Sequence, residues 1–340
     1  MDPIDALREI AFWLERELAP GFKVKAFRTA AHVLEPFSRD EIEQRLRDGR
    51  LARTKGIGSR TLEVVTQAIG GSVPDYLEQL RQRGQKPLTI GGDTIRAAIR
   101  GDLHTHSEWS DGTTPIPDMV HAARALGREY IALTDHSPSL TIANGLDSER
   151  LNRQLEVVAA LNDAGDDRFR LLSGIEVDIL EDGDLDQTPA MLGKLDVVVA
   201  SVHSKLRADS DTMTRRMLTA ARNPFTNVLG HCTGRLVTGS RGTRPPSAFD
   251  AVAVFAACAE NDVAVEINSR PERRDPPDEL IQLALEAGCL FSIDSDSHAP
   301  GHLSFLDYGA QRAEANGVPV ERIVTTWPGD RLLAWSRARR

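Results

Sequence analysis

The sequence has little cysteine and no long apolar run, and each absence narrows the class of protein. The three cysteines, Cys232, Cys258 and Cys289, are far apart and form no Cys-x-x-Cys pair. This spacing favours a reducing compartment without disulfides. No apolar run approaches the roughly 18–20 residues that span a bilayer, and residues 1–4 carry no basic-then-apolar signal pattern. We therefore expect a cytoplasmic protein that does not bind membranes.

The composition is that of an ordinary globular protein, but its charge is uneven. The 340 residues carry a net charge of −9 and allow two or three domains. The first 100 residues contain 17 basic and 14 acidic side chains, whereas residues 101–340 contain 24 and 36. A mildly basic region joined to an acidic body is typical of a small nucleic-acid module attached to a metal-binding domain. Bound metal ions would offset the acidic charge, so a polyanionic substrate is not excluded.

Residues 1–80 are predicted to be all-helical. Apolar residues recur at helical spacing after Asp2-Pro3, and Pro20-Gly21 ends that pattern. Two further helices are predicted over Phe22–Leu34 and Asp40–Leu46. Residues 81–100 are rich in Gly and Pro and are predicted to be a linker that contains a short helix.

A Gly-x-Gly turn, Gly56-Ile57-Gly58, opens a fourth helical pattern in this region. Such a turn exposes backbone N–H groups at a helix N-terminus, where a phosphate can bind. It is the turn of a helix-hairpin-helix element, which binds nucleic-acid backbone without reading sequence. The spacing alone equally allows a tight inter-helix turn without a ligand. The candidate DNA-binding residues are Lys23, Lys25, Arg28, Lys55, Gly56, Gly58, Ser59 and Arg60.

Residues 1–80 resemble the small N-terminal lyase-type domain of family X DNA polymerases. The resemblance rests on Phe22–Ala31 followed by the Gly-x-Gly turn. Animal members of that family place a Schiff-base lysine in the helix after the turn, where this chain has Val64, with Arg60 one turn earlier. A Schiff base needs an amine that can lose its proton. We therefore predict DNA binding without deoxyribose-phosphate lyase activity.

From residue 101 onward, apolar strand-like runs alternate with helical segments. This alternation predicts a parallel sheet, and about eight units predict a closed or nearly closed barrel. After the first strand at residue 101, the strand-like runs are Tyr130–Thr134, Leu171–Ile175, Val197–Val202, Asn227–Gly230, Ala264–Ile267, Leu290–Ile293 and Ile323–Thr325. The helical candidates between them are Pro115–Leu126, Ser148–Leu161, Asp211–Ala221, Ser247–Ala259 and Asp278–Ala287.

Histidines and carboxylates stand at the ends of these strands. Six of the nine histidines do so, whereas His32, His121 and His302 do not. A single strand-end histidine is more often structural, but barrel strands end where active sites are built, and imidazole with carboxylate suits Zn, Mn or Fe. The predicted metal ligands are His104, His106, Asp111, His136, Glu176, His203, His231, Asp296 and His298.

Residues 101–340 resemble the PHP (polymerase and histidinol phosphatase) family, which implies a distorted TIM-like barrel of seven or eight β/α units. The motifs are Asp102–Ser107 with Asp111, Thr134–Ser137, Gly174–Glu176, Val202-His203, Gly230-His231 and Asp296–His298. The closer resemblance is to the C-terminal PHP domain of bacterial family X polymerases, through Gly230–Leu236, Glu266–Asp275, Asp178–Asp186 and Met213–Arg216.

That resemblance implies a hydrolase of phosphate esters with all its ligand positions filled. Nine ligands suit three divalent ions (Mn, Zn or Fe), with Glu176 bridging two of them. Such ions lower the pKa of water and neutralise phosphate oxygens. Arg235, Arg273 and Lys205 are candidates to clamp the phosphate, although an arginine can equally pair with a carboxylate. We expect Asn268 to shape the rim and His302 to support the site.

Three functions remain open. The first is a phosphoesterase or 3′–5′ exonuclease that acts on DNA 3′ ends in repair, with the N-terminal region binding the DNA backbone and a DNA polymerase or ligase acting in trans. The second is a small-molecule phosphatase of the histidinol-phosphate type. The third is a non-catalytic DNA-binding scaffold with structural metals. A polymerase palm has no place between residues 80 and 101.

Overall fold

The computed structural model describes residues 1–165, 168–239 and 242–340 and divides the chain into two compact units. Met1–Pro87 form the unit that we call the head, and Leu88–Arg340 form the unit that we call the barrel. The predicted linker, residues 81–100, is not a free connection. Its first residues complete a helix of the head, whereas Ile95 and Ile99 are buried in the core of the barrel. Their apolar side chains explain why this Gly- and Pro-containing segment packs.

The head is helical, as predicted. Asp2 begins the first helix by accepting hydrogen bonds from the N–H groups of Ile4 (2.8 Å) and Asp5 (3.1 Å). Apolar residues at helical spacing, such as Leu7, Ile10 and Val65, meet in one buried cluster. The helices are α1 (Pro3–Arg16), α2 (Gly21–Leu34), α3 (Arg39–Arg47), α4 (Ser59–Ile69) and α5 (Asp75–Gly84).

The barrel contains one sheet of parallel strands whose order along the sheet is their order along the chain. A parallel bridge between Thr105 and Ser297 links the first strand to the segment after the last, and the N–H of His106 donates to the carbonyl of Ser297 at 2.8 Å. The predicted TIM-like barrel is therefore confirmed, with seven strands in the described residues. They are β1 (Gly101–Thr105), β2 (Tyr130–Leu133), β3 (Arg170–Asp178), β4 (Val197–Ser201), β5 (Val228–Leu229), β6 (Ala264–Asn268) and β7 (Phe291–Asp294).

The strands are almost entirely buried, which explains their near-continuous apolar sequences. Helices connect them along the chain, and none of the helices in the described ranges is both long and apolar enough to cross a membrane. The barrel helices are α6 (Asp93–Ala98), α7 (Ile116–Ala125), α8 (Ser148–Asp163), α9 (Pro189–Leu192), α10 (Ser210–Arg222), α11 (Ala251–Glu260), α12 (Asp278–Glu286), α13 (Leu306–Ala315) and α14 (Gly329–Arg337).

The predicted strand at Ile323–Thr325 is wrong. Two short 3-10 helices, Val320–Arg322 and Val324–Thr326, occupy this segment, and only Ile323 forms an isolated bridge to Phe291. The run is apolar because Ile323 and Val324 are buried in the barrel core. Pattern alone cannot distinguish such a buried turn from a short buried strand.

Candidate metal centre

The C-terminal ends of the strands bring all nine predicted metal ligands together. His104 lies on β1 and His106 directly follows it, so their side chains share one side of the strand, while Leu103, which precedes His104, faces the other way and is buried in an apolar cluster. Glu176 lies within β3, and the other ligands follow β2, β4, β5 and β7. Asp111 reaches the same place from the loop after β1, where its oxygen lies 3.3 Å from Nε2 of His298.

The nine side chains form four overlapping groups, and within each group one ligand atom per residue lies within 4.8 Å of the others. Glu176 belongs to two groups, as expected for a bridging carboxylate. The groups are His106, Asp111, His136 and His298; His104, Glu176 and His231; His104, His106 and Asp296; and His136, Glu176 and His203.

Several buried ligand atoms make no hydrogen bond within the described part of the protein. They include Nε2 of His104, both ring nitrogens of His106 and Oε1 of Glu176. A buried polar atom without a partner costs free energy, so such atoms are rarely gathered in one place. Nitrogen and oxygen donors that converge in this way fit divalent metal ions.

Two carboxylates outside the predicted ligand set orient the imidazoles. Glu266 lies 2.6 Å from Nδ1 of His104 and 3.1 Å from Nδ1 of His231, and Asp178 is hydrogen-bonded to Nδ1 of His203. An ionised carboxylate only accepts, so each Nδ1 carries the proton and each Nε2 keeps its lone pair. Both carboxylates lie within the motifs that carry the resemblance, but no role at the site was predicted for them. Two features of the sequence could have indicated this role. Glu266 stands at the end of a predicted strand, and Asp178 follows the predicted ligand Glu176 by two residues.

Asp135 fixes the loop that carries Asp111. Its carboxylate accepts from the N–H of Ser107 (2.8 Å), the hydroxyl of Ser110 (2.5 Å) and the amide of Gln154 (2.6 Å). Burial raises the pKa of Asp135, and these hydrogen bonds act in the opposite direction. Asp135 is therefore a positioning residue beside the predicted ligand His136.

Asn268 and His302 have the supporting places that we expected. The side-chain amide of Asn268 donates to Asp296 at 3.0 Å, and therefore orients a predicted ligand. The His302 ring stacks on Phe305 with centroids 4.8 Å apart, and its Nδ1 accepts from the N–H of His298 at 3.4 Å.

The imidazoles differ in charge when no metal neutralises the carboxylates. Burial disfavours the protonated ring of His136, but Glu176 and Asp111 outweigh it and raise its pKa to about 10. Burial and the neighbouring His298 and His136 lower the pKa of His106 to about 3. His106 is therefore neutral and available as a ligand at neutral pH, whereas metal binding at His136 must displace a proton.

Of the three cationic side chains predicted to clamp the phosphate, Arg273 lines the cavity, whereas Arg235 and Lys205 do not. Arg273 lines the cavity at the cluster, where its Nε donates to Asp296 at 3.0 Å. Arg235 does not line it, because its guanidinium donates to the carbonyl of Arg274 at 2.8 Å and supports that loop. Lys205 is 65% exposed and lies 3.8 Å from Glu181. Arg244, for which no role was predicted, lines the cavity and donates to the carbonyl of Gly234 at 2.6 Å.

The cavity has a volume of about 290 Å³ and two chemically different sets of lining residues. Ligand side chains and two arginines form the polar part. Its only carboxylates, among the described lining residues, are the predicted ligands Asp111, Glu176 and Asp296. The apolar lining residues are Leu140, Ile142, Ala143, Val202 and Leu206.

The predicted DNA-binding residues of the head differ in availability. Lys23, Lys25 and Lys55 are exposed, but Arg28 donates to both oxygens of Glu15 (3.0 and 2.9 Å) and is largely buried.

In the Gly-x-Gly turn, the N–H of Gly58 is already accepted by the Thr61 hydroxyl at 2.9 Å, so this amide is not available to a phosphate. Gly56 has a φ of +94°, which favours glycine. Ser59 is exposed, and Arg60 lies 2.9 Å from Glu63 at the surface. Val64, at the position compared with the Schiff-base lysine, is buried in the head core.

Comparisons with known proteins agree with this site. The PHP domain matches residues 102–270. The "DNA polymerase/3'-5' exonuclease PolX" of Bacillus subtilis is 38% identical over 250 residues, which cover 72% of this chain but 43% of that protein. This chain therefore spans less than half the length of that relative. A "Probable phosphatase" of Tolumonas auensis is 27% identical over 241 residues, or 67% of this chain and 89% of that protein.

Among solved structures, histidinol phosphate phosphatase from Lactococcus lactis, complexed with zinc, L-histidinol and phosphate, matches with a TM-score of 0.42. It is 18% identical and covers 71% of this chain and 92% of that one.

A parallel barrel with clustered imidazoles and carboxylates at its strand ends defines a hydrolase of phosphate esters. Residues 102–270 form a domain of the PHP family. The identity to PolX confirms the predicted closeness to the PHP domain of bacterial family X polymerases.

Proposed function

We propose that this protein is a metal-dependent phosphoesterase that acts on DNA 3′ ends, including 3′–5′ removal of nucleotides in repair. The convergence of nine ligand side chains at the strand ends carries the proposal, because this set fits three divalent ions. When bound, such ions would lower the pKa of water and neutralise phosphate oxygens. The similarity to a protein named as a 3′–5′ exonuclease supports DNA as the substrate.

The chain's own residues would orient the phosphate and the ligands. Arg273 and Arg244 line the cavity and can donate to phosphate oxygens. Arg273 already donates to Asp296, so a phosphate would share this guanidinium with a ligand. Glu266 keeps the Nε2 lone pair of His104 directed to the cluster.

Three exposed lysines of the head support DNA-backbone binding. Lys23, Lys25 and Lys55 have no carboxylate within salt-bridge distance in the head. A lysine contacts a phosphate as a point charge, without reading the base sequence. A DNA polymerase or ligase acting in trans would complete the repair reaction on the trimmed end, and it forms part of the same proposal.

A small-molecule phosphatase is the second candidate. It is favoured by the relatives named "Probable phosphatase", whose length the match covers almost completely, as in the 89% of the Tolumonas protein. The lining of the cavity favours DNA, since the carboxylates among its described residues all belong to the predicted ligand set and leave none to pair with a substrate ammonium.

The experiment compares a 3′-end-labelled oligonucleotide with histidinol phosphate, each with the full-length protein and added Mn²⁺. Asp111→Asn removes a ligand that is 36% exposed, so the fold should tolerate it. Glu108→Gln is the matched control, because Glu108 is exposed on the same loop and belongs to no ligand group. Circular dichroism should show that both variants are folded.

The proposal predicts shortening of the oligonucleotide by the wild type and by Glu108→Gln, with a loss of at least about 100-fold in Asp111→Asn. Hydrolysis of histidinol phosphate alone would instead establish the small-molecule phosphatase. Inactivity on both substrates, with metal bound, would favour a scaffold.

A further inference from the structure

Ile142 exposes an apolar side chain at the entrance of the metal-centre cavity. Its side chain is 92% exposed, yet it lines the same cavity as His136 and Glu176. An isoleucine that remains in water forgoes the favourable free energy of burying its side chain. The neighbouring Leu140 and Leu206 are partly buried and extend this apolar surface along the cavity wall.

The loop that carries Ile142 is held firmly, so its exposure is a feature of the fold. The guanidinium of Arg150 donates to the carbonyls of Asn144 (2.5 Å) and Gly145 (3.0 Å), and also to that of Trp109. A Cβ on Gly145 would lie 1.8 Å from the carbonyl oxygen of Ser137, so the loop approaches this backbone closely. These contacts fix both ends of the turn that presents Ile142.

The position of this apolar surface beside the ligand cluster indicates which part of a substrate would contact it. A phosphate ester bound at the ligand cluster places its phosphorus among the imidazoles, and its organic part must extend along the remaining wall of the cavity. That wall is apolar over Leu140, Ile142, Ala143, Val202 and Leu206. An amino alcohol would find no free carboxylate among the described residues of this wall, whereas a planar nucleobase gains from apolar contact on its face.

We propose that Ile142, with Leu140 and Leu206, forms a subsite for the nucleobase of the 3′-terminal nucleotide. This subsite rests on the proposed function and adds that the base, and not only the phosphate and sugar, contributes to recognition. The contact is to the face of the base, so the subsite accepts each of the four bases with little preference. Ile142 sets the preference for an end that carries a base over one that lacks it, and it touches no reacting atom.

The test uses two 5′-labelled oligonucleotides that differ only at the 3′ end. One ends in thymidine and the other ends in a tetrahydrofuran abasic analogue. The measured quantity is the ratio of kcat/KM for removing the two terminal residues with added Mn²⁺. Ile142→Ala removes the contact and Ile142→Tyr enlarges it. Ile90→Ala is the matched control, because Ile90 is also an isoleucine and is 100% exposed.

We expect the wild type and Ile90→Ala to prefer the thymidine end by the same factor. Ile142→Ala should lower that preference by about five- to tenfold, because loss of apolar contact with one group typically costs this much, while leaving the abasic end unchanged. Ile142→Tyr should raise the preference, since a base stacks better on an aromatic ring.

An unchanged preference in Ile142→Ala would overturn the subsite while leaving the proposed function intact. Equal losses on both substrates would also overturn it, because they would show that the loop acts only structurally. If the wild type removes neither terminal residue, the proposed function itself fails, and the subsite fails with it.

Discussion

Glu266→Gln is the substitution that tests most directly how the metal centre is built. Glu266 accepts from Nδ1 of His104 at 2.6 Å and from Nδ1 of His231 at 3.1 Å. Burial favours its neutral form, but His104 and His231 outweigh it and lower its pKa to about 2. The group is therefore a carboxylate at neutral pH. Glutamine keeps the shape but replaces one acceptor oxygen with an NH2 group.

The structure sets the size of the expected effect. The NH2 group of glutamine would face a ring N–H, so one imidazole must turn or move its proton to Nε2, where the metal should bind. Loss of such an outer partner typically weakens metal binding by about 10–100-fold, which corresponds to about 1.4–2.8 kcal/mol. Since His104 and His231 form one ligand group with Glu176, to which their Nε2 atoms lie 3.2 and 3.4 Å away, at least one ion should be lost first.

The assay is the metal content per protein after equilibration with increasing concentrations of a chelator. Glu279→Gln is the control, because Glu279 is exposed and belongs to no ligand group. We expect the chelator midpoint of Glu266→Gln to fall by at least about tenfold, with an unchanged circular dichroism spectrum. A midpoint within about twofold of the wild type would refute the role given to Glu266.

Three further predictions concern the rest of the chain. Lys55→Gln should reduce by about one the slope of the logarithm of the DNA-binding constant against the logarithm of the salt concentration. Arg28→Gln should leave this slope unchanged and should instead lower the melting temperature of the head, because Arg28 pairs with Glu15. Burial raises the pKa of all three thiols, that of Cys289 to about 12. A thiol reagent at pH 8 should therefore label Cys232, Cys258 and Cys289 only after denaturation; rapid labelling of the native protein would contradict this burial. Gly101→Ala should cost about 1–3 kcal/mol in urea unfolding, because its Cβ would lie 2.1 Å from the buried Tyr130 ring; a cost below about 0.5 kcal/mol would show that the ring can move aside.

The fold and the clustering of the predicted ligands could be predicted because both follow from local pattern. A buried strand is an apolar run in the sequence, and a predicted ligand such as His203 stands where that run ends. Its position along the strand therefore indicates at which end of the barrel its side chain lies. Some predicted bounds differ from those in the structure. The helix predicted over Ser247–Ala259 begins later, at Ala251, because Asp250 caps its N-terminus.

Contacts between distant loops could not be predicted in the same way. Arg235 and Arg244 both follow β5, and nothing in their spacing shows that one supports a carbonyl while the other lines the cavity. Likewise, the role of Glu266 depends on two rings from β1 and from the end of β5. Such partners are chosen by tertiary packing, which a pattern along the chain does not record.

The barrel closes between Thr105 and Ser297, and this closure brings the first and last parts of the metal centre together. His104 and His298 are far apart along the chain, and neither can share an ion with its neighbours until the chain between them has folded. Ions that bind only this closed form would stabilise it by about 2.7 kcal/mol at a hundred times their dissociation constant. A higher concentration of metal ions would thus make the closed barrel persist longer, both while the chain is being synthesised and in the presence of proteases, independently of any substrate.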